Sequence, residues 1–381
     1  MLNFAPTEEQ EEIRKLAHNL AEQLRLQGRS AEKNGDISSE FMKILAQTGL
    51  TTPFPEDDDD FDEDWQDFDD DDDEEKDDAG AFSAMTYVLI AEELGFGDGA
   101  LAMNIIGSMM GPITVMLAGN EQQQQQYVAP FADDREGYRQ RGSFAFAERI
   151  GGYSLEDIQA TVHKEGDQYI LNGTKRDVPN SEQASPVVVL ARLEGSTDID
   201  GLCALILPKA TGIRISIDVQ KLGLIAAPSA SYTFENVAID ASCMLGEPGN
   251  SRVVKAATLY QILRAGVACG MAHASFEYAK DYAKERIAFG RPIASYQGIA
   301  FIVAEMAMKL DAARLLLWCA ATSWDNDVAL ETLVQEAEAA QYQAVKLAKS
   351  ATLDAIQVMG GAGFIQDHPV EMWARNAAAM E

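Results

Sequence analysis

The chain has 381 residues, 47% hydrophobic and 24% charged, a soluble globular composition long enough for two or three packed domains. Its 30 Lys and Arg against 61 Asp and Glu give a formal net charge of −31, which argues against nucleic acid or an anionic membrane surface as a partner. Cys203, Cys243, Cys269 and Cys319 lie far apart without metal-type or Cys-x-x-Cys spacing, which argues against a zinc ribbon or a disulfide framework. With no leader-like start and no apolar run read as long enough to span a bilayer, the expectation is a cytoplasmic protein without a membrane segment.

Taken in order, Thr7-Glu8-Glu9-Gln10 reads as a capping box, and Ile13, Leu16, Ala17, Leu20 and Leu24 follow at helical spacing. Phe41 to Leu50 predicts a second amphipathic helix. Glu56 to Asp78 then holds 18 acidic residues and one lysine, more than half of the net charge. Such a run self-repels and reads as a solvated loop, with a calcium site or, through Phe61, Trp65 and Phe68, a docking peptide as the alternatives. Ser83 to Leu94 and Leu101 to Leu117 predict further helices, so residues 1–140 form a helical domain.

Character changes at Gly142. Ser143 to Phe146, Gln168 to Leu171, Val187 to Leu190, Leu202 to Leu207 and Ile213 to Ser216 are short β-type runs separated by turn residues, and Asn172-Gly173 is a hairpin signal. No helix-length segments alternate with them, so residues 141–250 predict an antiparallel sandwich or barrel rather than a parallel sheet. From 251 to 381 the pattern is helical again. Between Ile299 and Met359 there is neither Gly nor Pro, which predicts two long helices joined near Trp324 to Asp327 and a C-terminal four-helix bundle. The small residues between Arg264 and Ala272 allow close approach by a neighbouring helix or a flat ligand.

Gly360-Gly361-Ala362-Gly363-Phe364 follows a helix rather than a strand, so it fits neither dinucleotide nor P-loop context and by itself reads as a helix stop. His18, His163, His273 and His368 have no metal spacing, and no Gly-x-Ser-x-Gly elbow is present. No metal site is expected.

The order helical, β, helical acquires meaning from particular runs. Lys284-Glu285-Arg286-Ile287-Ala288-Phe289-Gly290-Arg291-Pro292-Ile293, then Tyr296-Gln297, and later Gln357-Val358-Met359-Gly360-Gly361-Ala362-Gly363-Phe364 together resemble the acyl-CoA dehydrogenase family of FAD flavoproteins. Asp167 to Lys175 and Pro369-Val370-Glu371 extend the likeness over essentially the whole chain. The resemblance implies the family's three-part fold and oxidation of an acyl-CoA to a trans-2-enoyl-CoA. Electrons would pass through FAD to an electron-transfer flavoprotein. It also implies a homo- or hetero-oligomer, because Arg286, Phe289, Gln297, Gln357, Gly360 and Gly361 match residues that hold the FAD of a neighbouring subunit. A guanidinium at 286 suits a pyrophosphate. Phe146 and Ala147 match the segment facing the flavin, and Arg264 and Tyr153 match positions beside the substrate.

The chain also departs from the family pattern. Ala147-Glu148-Arg149 stands where Thr-Glu-Pro is usual, and Gly152-Tyr153-Ser154 where Gly-Ser-Asp is usual. Asp177-Val178-Pro179 replaces a Trp-Ile-Thr segment, and proline supplies no N–H donor. The family's glutamate base falls nine residues after the arginine matched by Arg375, past Glu381, or in a minority directly before the arginine matched by Arg264, where this chain has Leu263. Two readings stay open: an active dehydrogenase with its base beyond residue 381, or a base-less member. Arg149 to Leu155 resembles the small-subunit type of two-component acyl-CoA dehydrogenases, so the second reading is a subunit that completes a heteromer.

Overall fold

A computed structural model describes residues 6–48, 83–133, 136–149, 151–180, 183–208, 213–217 and 220–381. The acidic run Glu56 to Asp78 lies outside them. Helix α1, Glu8–Asn34, starts at the expected capping box: Thr7 Oγ1 accepts from the Gln10 nitrogen (3.2 Å) and Gln10 Oε1 from the Thr7 nitrogen (3.0 Å). It buries Ala17, Leu20, Ala21 and Leu24 and stops at Gly35 in the left-handed conformation. Helix α2, Ser39–Ala46, is capped by Ser38. Helices α3, Ala84–Gly97, and α4, Gly99–Ala118, meet at Asp98, whose Oδ1 accepts from the nitrogens of Ala100 (2.9 Å) and Leu101 (3.0 Å). Helix α5 spans Glu121–Tyr127.

Helix α4 corrects one expectation: by length and composition it is apolar enough to cross a membrane. In this fold 89% of its apolar window is buried, packed against α3 and the third domain's first helix, which makes it a core helix.

The central domain is a seven-stranded sheet of β1 Ser143–Ala145, β2 Thr161–Glu165, β3 Gln168–Pro179, β4 Val187–Leu193, β5 Leu202–Ile206, β6 Ile213–Ser216 and β7 Ser229–Asp240. The predicted purely antiparallel arrangement is corrected, because β4 pairs in parallel with both β1 and β2. The chain leaves β1, completes the β2–β3 hairpin elsewhere in the sheet, and returns to β4 in the same direction. No helix is needed for that crossover, so helix–strand alternation could not reveal it. The hairpin turn also lies elsewhere than the Asn172-Gly173 signal indicates. Glu165 pairs with Gln168, so the tight turn is Gly166-Asp167, whereas Asn172-Gly173 lies inside β3 at a register shift against β7. Gly173 (φ +137°) is required there, since a β-carbon would lie 2.7 Å from the Ala160 Cα.

The third domain consists of α6 Ser251–Glu285, a two-residue-stranded hairpin (β8 Ile287–Ala288, β9 Arg291–Pro292), α7 Gln297–Asp325, α8 Leu330–Met359 and α9 Val370–Met380. The turn between α7 and α8 falls where the polar residues predicted it. Asp325 there also accepts from the nitrogens of Ala84 (2.6 Å) and Met85 (3.1 Å), capping α3 from another domain. The small-residue stretch of α6 serves the neighbouring helix rather than a flat ligand: a β-carbon at Gly270 would lie 2.6 Å from the Phe96 nitrogen, and one at Gly95 would lie 2.7 Å from the Val267 Cα. These glycines let α3 and α6 meet backbone to backbone.

Candidate active site

Helix α6 carries Tyr260, Gln261 and Arg264 on one face, at i, i+1 and i+4, and turns them toward the loop after β1. Arg264 is 2% exposed. Its guanidinium lies 3.5 Å from the centroid of the Tyr153 ring and 5.9 Å from that of Tyr260. Tyr153 in turn packs on Phe146 (5.5 Å) and Tyr260 (5.8 Å), and Phe144 closes the aromatic cluster from behind (5.9 Å from Phe146). Gln261 Nε2 donates to the Tyr153 carbonyl at 2.5 Å and holds that loop to the helix.

Arg264 forms no ion pair among the described residues: Nη2 donates to the Met380 carbonyl (3.3 Å) and Nε has no partner. Burial works against its charge, yet the Tyr153 and Tyr260 hydroxyls and Asp177 outweigh this and hold the guanidinium above its ordinary value. Burial also keeps the Tyr153 phenol far above its ordinary value, so it stays a neutral donor. Its hydroxyl donates to Asp177 Oδ2 (3.3 Å). Asp177 (φ +51°) accepts from the Ser229 hydroxyl at 2.5 Å through Oδ1, which also faces Lys221 Nζ at 3.4 Å.

The loop is braced from below. Lys175 is fully buried, and its ammonium donates to the Phe146 carbonyl (2.9 Å) and Glu148 Oε1 (2.7 Å); burial pulls its pKa down to about 8. The two Glu148 oxygens also accept from the nitrogens of Gln159 and Ala160, both at 2.8 Å. The Ala147 carbonyl accepts from the Arg176 nitrogen (2.7 Å). This carboxylate is therefore committed to shaping the loop.

A cleft of about 360 Å³ opens beside the cluster between Arg149, Tyr153 and Ser154 of the loop and Glu338, Tyr342 and Lys346 of α8. Glu338 Oε1 pins its rim by accepting from the Ser154 hydroxyl (2.7 Å) and the Leu155 nitrogen (3.0 Å). Glu381, out of register with the family's base position, lines the same cleft with its carboxylate paired to Lys349. Leu263 is buried in the apolar core.

The structure therefore brings together Phe146, Ala147, Tyr153 and Arg264 and separates them from the other six site residues. Arg286, Phe289, Gln297, Gln357, Gly360 and Gly361 are exposed at one end of the helical bundle, with Phe289 96% accessible. The antiparallel run of α7 and α8, in which Asp354 feels Lys309 and Glu305, brings the start of α7 to the end of α8. Arg264 and Arg286 are 22 residues apart along α6 and its exit, roughly 30 Å at 1.5 Å per residue. At Gly290, Gly360 and Gly361 a β-carbon would meet nothing within 4 Å, so the backbone stands open to an incoming molecule. Sequence reasoning missed Tyr260, Gln261 and the acceptor role of Asp177. The first two share the Arg264 face at helical spacing and were legible in principle; the third depends on the β3–β7 pairing.

Family models for the N-terminal, middle and C-terminal domains of acyl-CoA dehydrogenases match residues 73–135, 143–237 and 247–381. The chain belongs to the acyl-CoA dehydrogenase family, whose members are FAD-dependent oxidoreductases that use acyl-CoA substrates and oligomerise. It is 34% identical over 304 residues to the mitochondrial short-chain specific acyl-CoA dehydrogenase of Rattus norvegicus, covering 78% of this chain and 71% of that protein. It is 31% identical to the 3-(aryl)acrylate reductase of Clostridium sporogenes over 97% of this chain and 93% of the relative. The solved butyryl-CoA dehydrogenase of Megasphaera elsdenii superposes with a TM-score of 0.79 at 26% identity, over 100% of this chain and 95% of that one.

The residues fit FAD unequally. The exposed end, with the Arg286 guanidinium, the Gln297 and Gln357 amides and open glycine backbone, suits a dinucleotide's phosphates. At the β-domain end Ala147 offers no hydroxyl, Asp177 is engaged by Ser229 and Tyr153, and Pro179 lies against α4, where a β-carbon at Gly107 would come within 2.8 Å of it. The side chains of Ala147, Asp177 and Pro179 thus offer a flavin ring no free donor.

Proposed function

We propose that this chain is an acyl-CoA dehydrogenase-like flavoprotein that takes an acyl-CoA thioester for α,β-dehydrogenation to the trans-2-enoyl-CoA, with an electron-transfer flavoprotein as the electron partner. The observation that carries the reading is Arg264: a buried guanidinium without a carboxylate, beside a cleft, in the middle of the family's fold. A buried cation without an ion pair is costly unless a ligand's polar group completes it, and a thioester carbonyl is such a group. The cations at the cleft are Arg149, paired with Asp157 at 2.6 Å, and Lys346, beside the carboxylates of Glu338 and Glu381. FAD supplies the two-electron acceptor. Arg286, Gln297 and Gln357 would hold its phosphates from a neighbouring subunit, because one chain separates the two ends of the site by roughly 30 Å. The exposed apolar side chains Phe301, Met308 and Leu315 of α7 and Phe364 after α8 support such an assembly.

A second reading, a non-catalytic subunit that completes a heteromer, is favoured by Leu263, by the pairing of Glu381 with Lys349, and by the donor-poor segment 177–179. The visible spectrum of the purified chain under anaerobic addition of an acyl-CoA panel separates the two. Flavin bands that bleach with one thioester are expected of the dehydrogenase. A protein whose flavin never bleaches, or that is colourless until a homologous partner restores turnover, would establish the subunit reading instead.

A further inference from the structure

Four charges of α1 and α9 close a ring. Arg29 pairs with Glu32 (3.2 Å) along α1 and Arg375 with Glu371 (2.9 Å) along α9, while Arg29 also pairs with Glu371 and Arg375 with Glu32 across the two helices. All four side chains are partly buried. Burial works against the Glu371 charge, yet Arg375 and Arg29 outweigh it and hold that carboxyl below its ordinary value. The ring has a further attachment in the β domain. Arg375 Nη1 donates to the Leu222 carbonyl (2.7 Å), and Asn376 Oδ1 accepts from the Leu224 nitrogen (2.8 Å), so the segment before β7 is tied to the same turn of α9. One helical turn thus joins all three domains. We propose that Arg375 is a positioning residue for the cleft: through the ring it fixes the place of α9 along its axis, and α9 in turn sets the cleft wall formed by Met380 and Glu381. That this cleft takes an acyl-CoA rests on the function proposed above.

Apolar packing alone leaves the far end of α9 poorly keyed. Trp373 packs against Tyr278 near the start of the helix, with ring centroids 5.8 Å apart. Past Asn376, however, come Ala377, Ala378 and Ala379, which offer little side-chain shape to hold a helix in register. The forked guanidiniums of the ring supply the directional contacts that alanines lack. The far end tolerates little displacement. A β-carbon at Gly151 would lie 1.5 Å from the Glu381 carbonyl oxygen, and the Met380 carbonyl accepts from Arg264 Nη2 at 3.3 Å. Met380 and Glu381 line the cleft together with Gly151, so α9 and the loop after β1 form adjoining walls. Met380 is five residues past Arg375, about 7.5 Å along a helix. A shift of α9 at the ring therefore moves the cleft wall with it. Glu32, which does not line the cleft, acts on it from α1 by way of Arg375.

The test compares the full-length wild type with Glu32→Gln, Arg375→Lys and Arg375→Ala by hydrogen–deuterium exchange, thermal melting and calorimetric titration with butyryl-CoA, with flavin content measured on each preparation. Glu32→Gln breaks only the tie to α1 and is expected to speed exchange at the amides of 377–380 about threefold while the melting temperature stays within about 2 °C of the wild type. Arg375→Ala also frees the Leu222 carbonyl and is expected to speed exchange there about tenfold and to weaken butyryl-CoA binding about threefold. Arg375→Lys keeps the charge without the fork and should fall between the wild type and Arg375→Ala. If Arg375→Ala does not fold, the other two variants decide by the same criteria. Faster exchange at 377–380 with weaker binding supports the positioning role. A lowered melting temperature with exchange at 377–380 unchanged makes the ring a stabilising contact only and overturns it, and so does faster exchange with undiminished binding. A wild type that binds neither flavin nor butyryl-CoA removes the acyl-CoA reading, and exchange at 377–380 then decides by itself whether the ring positions α9.

Discussion

The middle of helix α6 and its C-terminal exit solve opposite problems. Around Arg264 every side chain is wrapped by its own chain: Tyr153 on the guanidinium, Gln261 on the loop carbonyl, glycines against α3. Around Arg286 the neighbouring Phe289, Gln297 and Gly361 face open space. The first stretch is packed within one polypeptide, with Arg264 Nε and Gln261 Oε1 buried without partners among the described residues; the second is an exposed surface, as the proposed contact with a neighbouring subunit requires. A family motif can therefore mark either a folded interior or a surface awaiting a partner, and residue type does not distinguish them.

The largest expected effect comes from breaking the interior stretch. Gly270→Val drives side-chain atoms into the α3 backbone at Phe96 and should cost roughly 3 kcal/mol, read as a lowered urea midpoint. Gly361→Val, at the open end, should stay within about 0.5 kcal/mol of the wild type in the same measurement. Equal losses at both positions would erase the distinction between the two regions.

A smaller effect is expected at the surface. Arg286→Glu sets a carboxylate against phosphate and should lower flavin content about tenfold, equivalent to about 1.4 kcal/mol, while the far-ultraviolet circular dichroism and melting temperature of the chain hold. Undiminished flavin content in this variant would detach Arg286 from the cofactor.

The mildest prediction concerns pH. Asp98 caps α4 in a fully buried setting, where desolvation outweighs its backbone hydrogen bonds and raises its pKa from 3.8 to about 6. A raised carboxyl binds its proton more tightly in the folded state. Its contribution is fully present below about pH 4 and is lost as pH rises through about 6. Asp98→Asn keeps the cap and should flatten that part of the stability–pH curve relative to the wild type. Parallel curves for the two proteins between pH 4 and 6 would contradict the assignment.

Much of the fold was legible because its signals are local. The Thr7 box acts within a few residues, the Gly- and Pro-free run from Ile299 to Met359 lets each helix propagate turn by turn, and both appear as expected. Asn172-Gly173 shows the limit. The dipeptide permits a tight turn, but the same backbone freedom also permits a bulge, and pairing with β7 chose the bulge. Helix α4 makes the same point for apolar content, since a membrane and a protein core ask for the same residues.

By itself the sequence determined the order of helical and β regions, the family, and which positions depart from the family pattern, because helix periods, caps and spaced motifs are properties of neighbouring residues. Only the tertiary structure decided that Tyr153 lies on Arg264, that Glu148 is spent on Lys175 and the loop amides, and that Arg286 faces outward. Those outcomes depend on which distant segments share a volume, and the burial of a charge is set by that shared volume rather than by the residue that carries it.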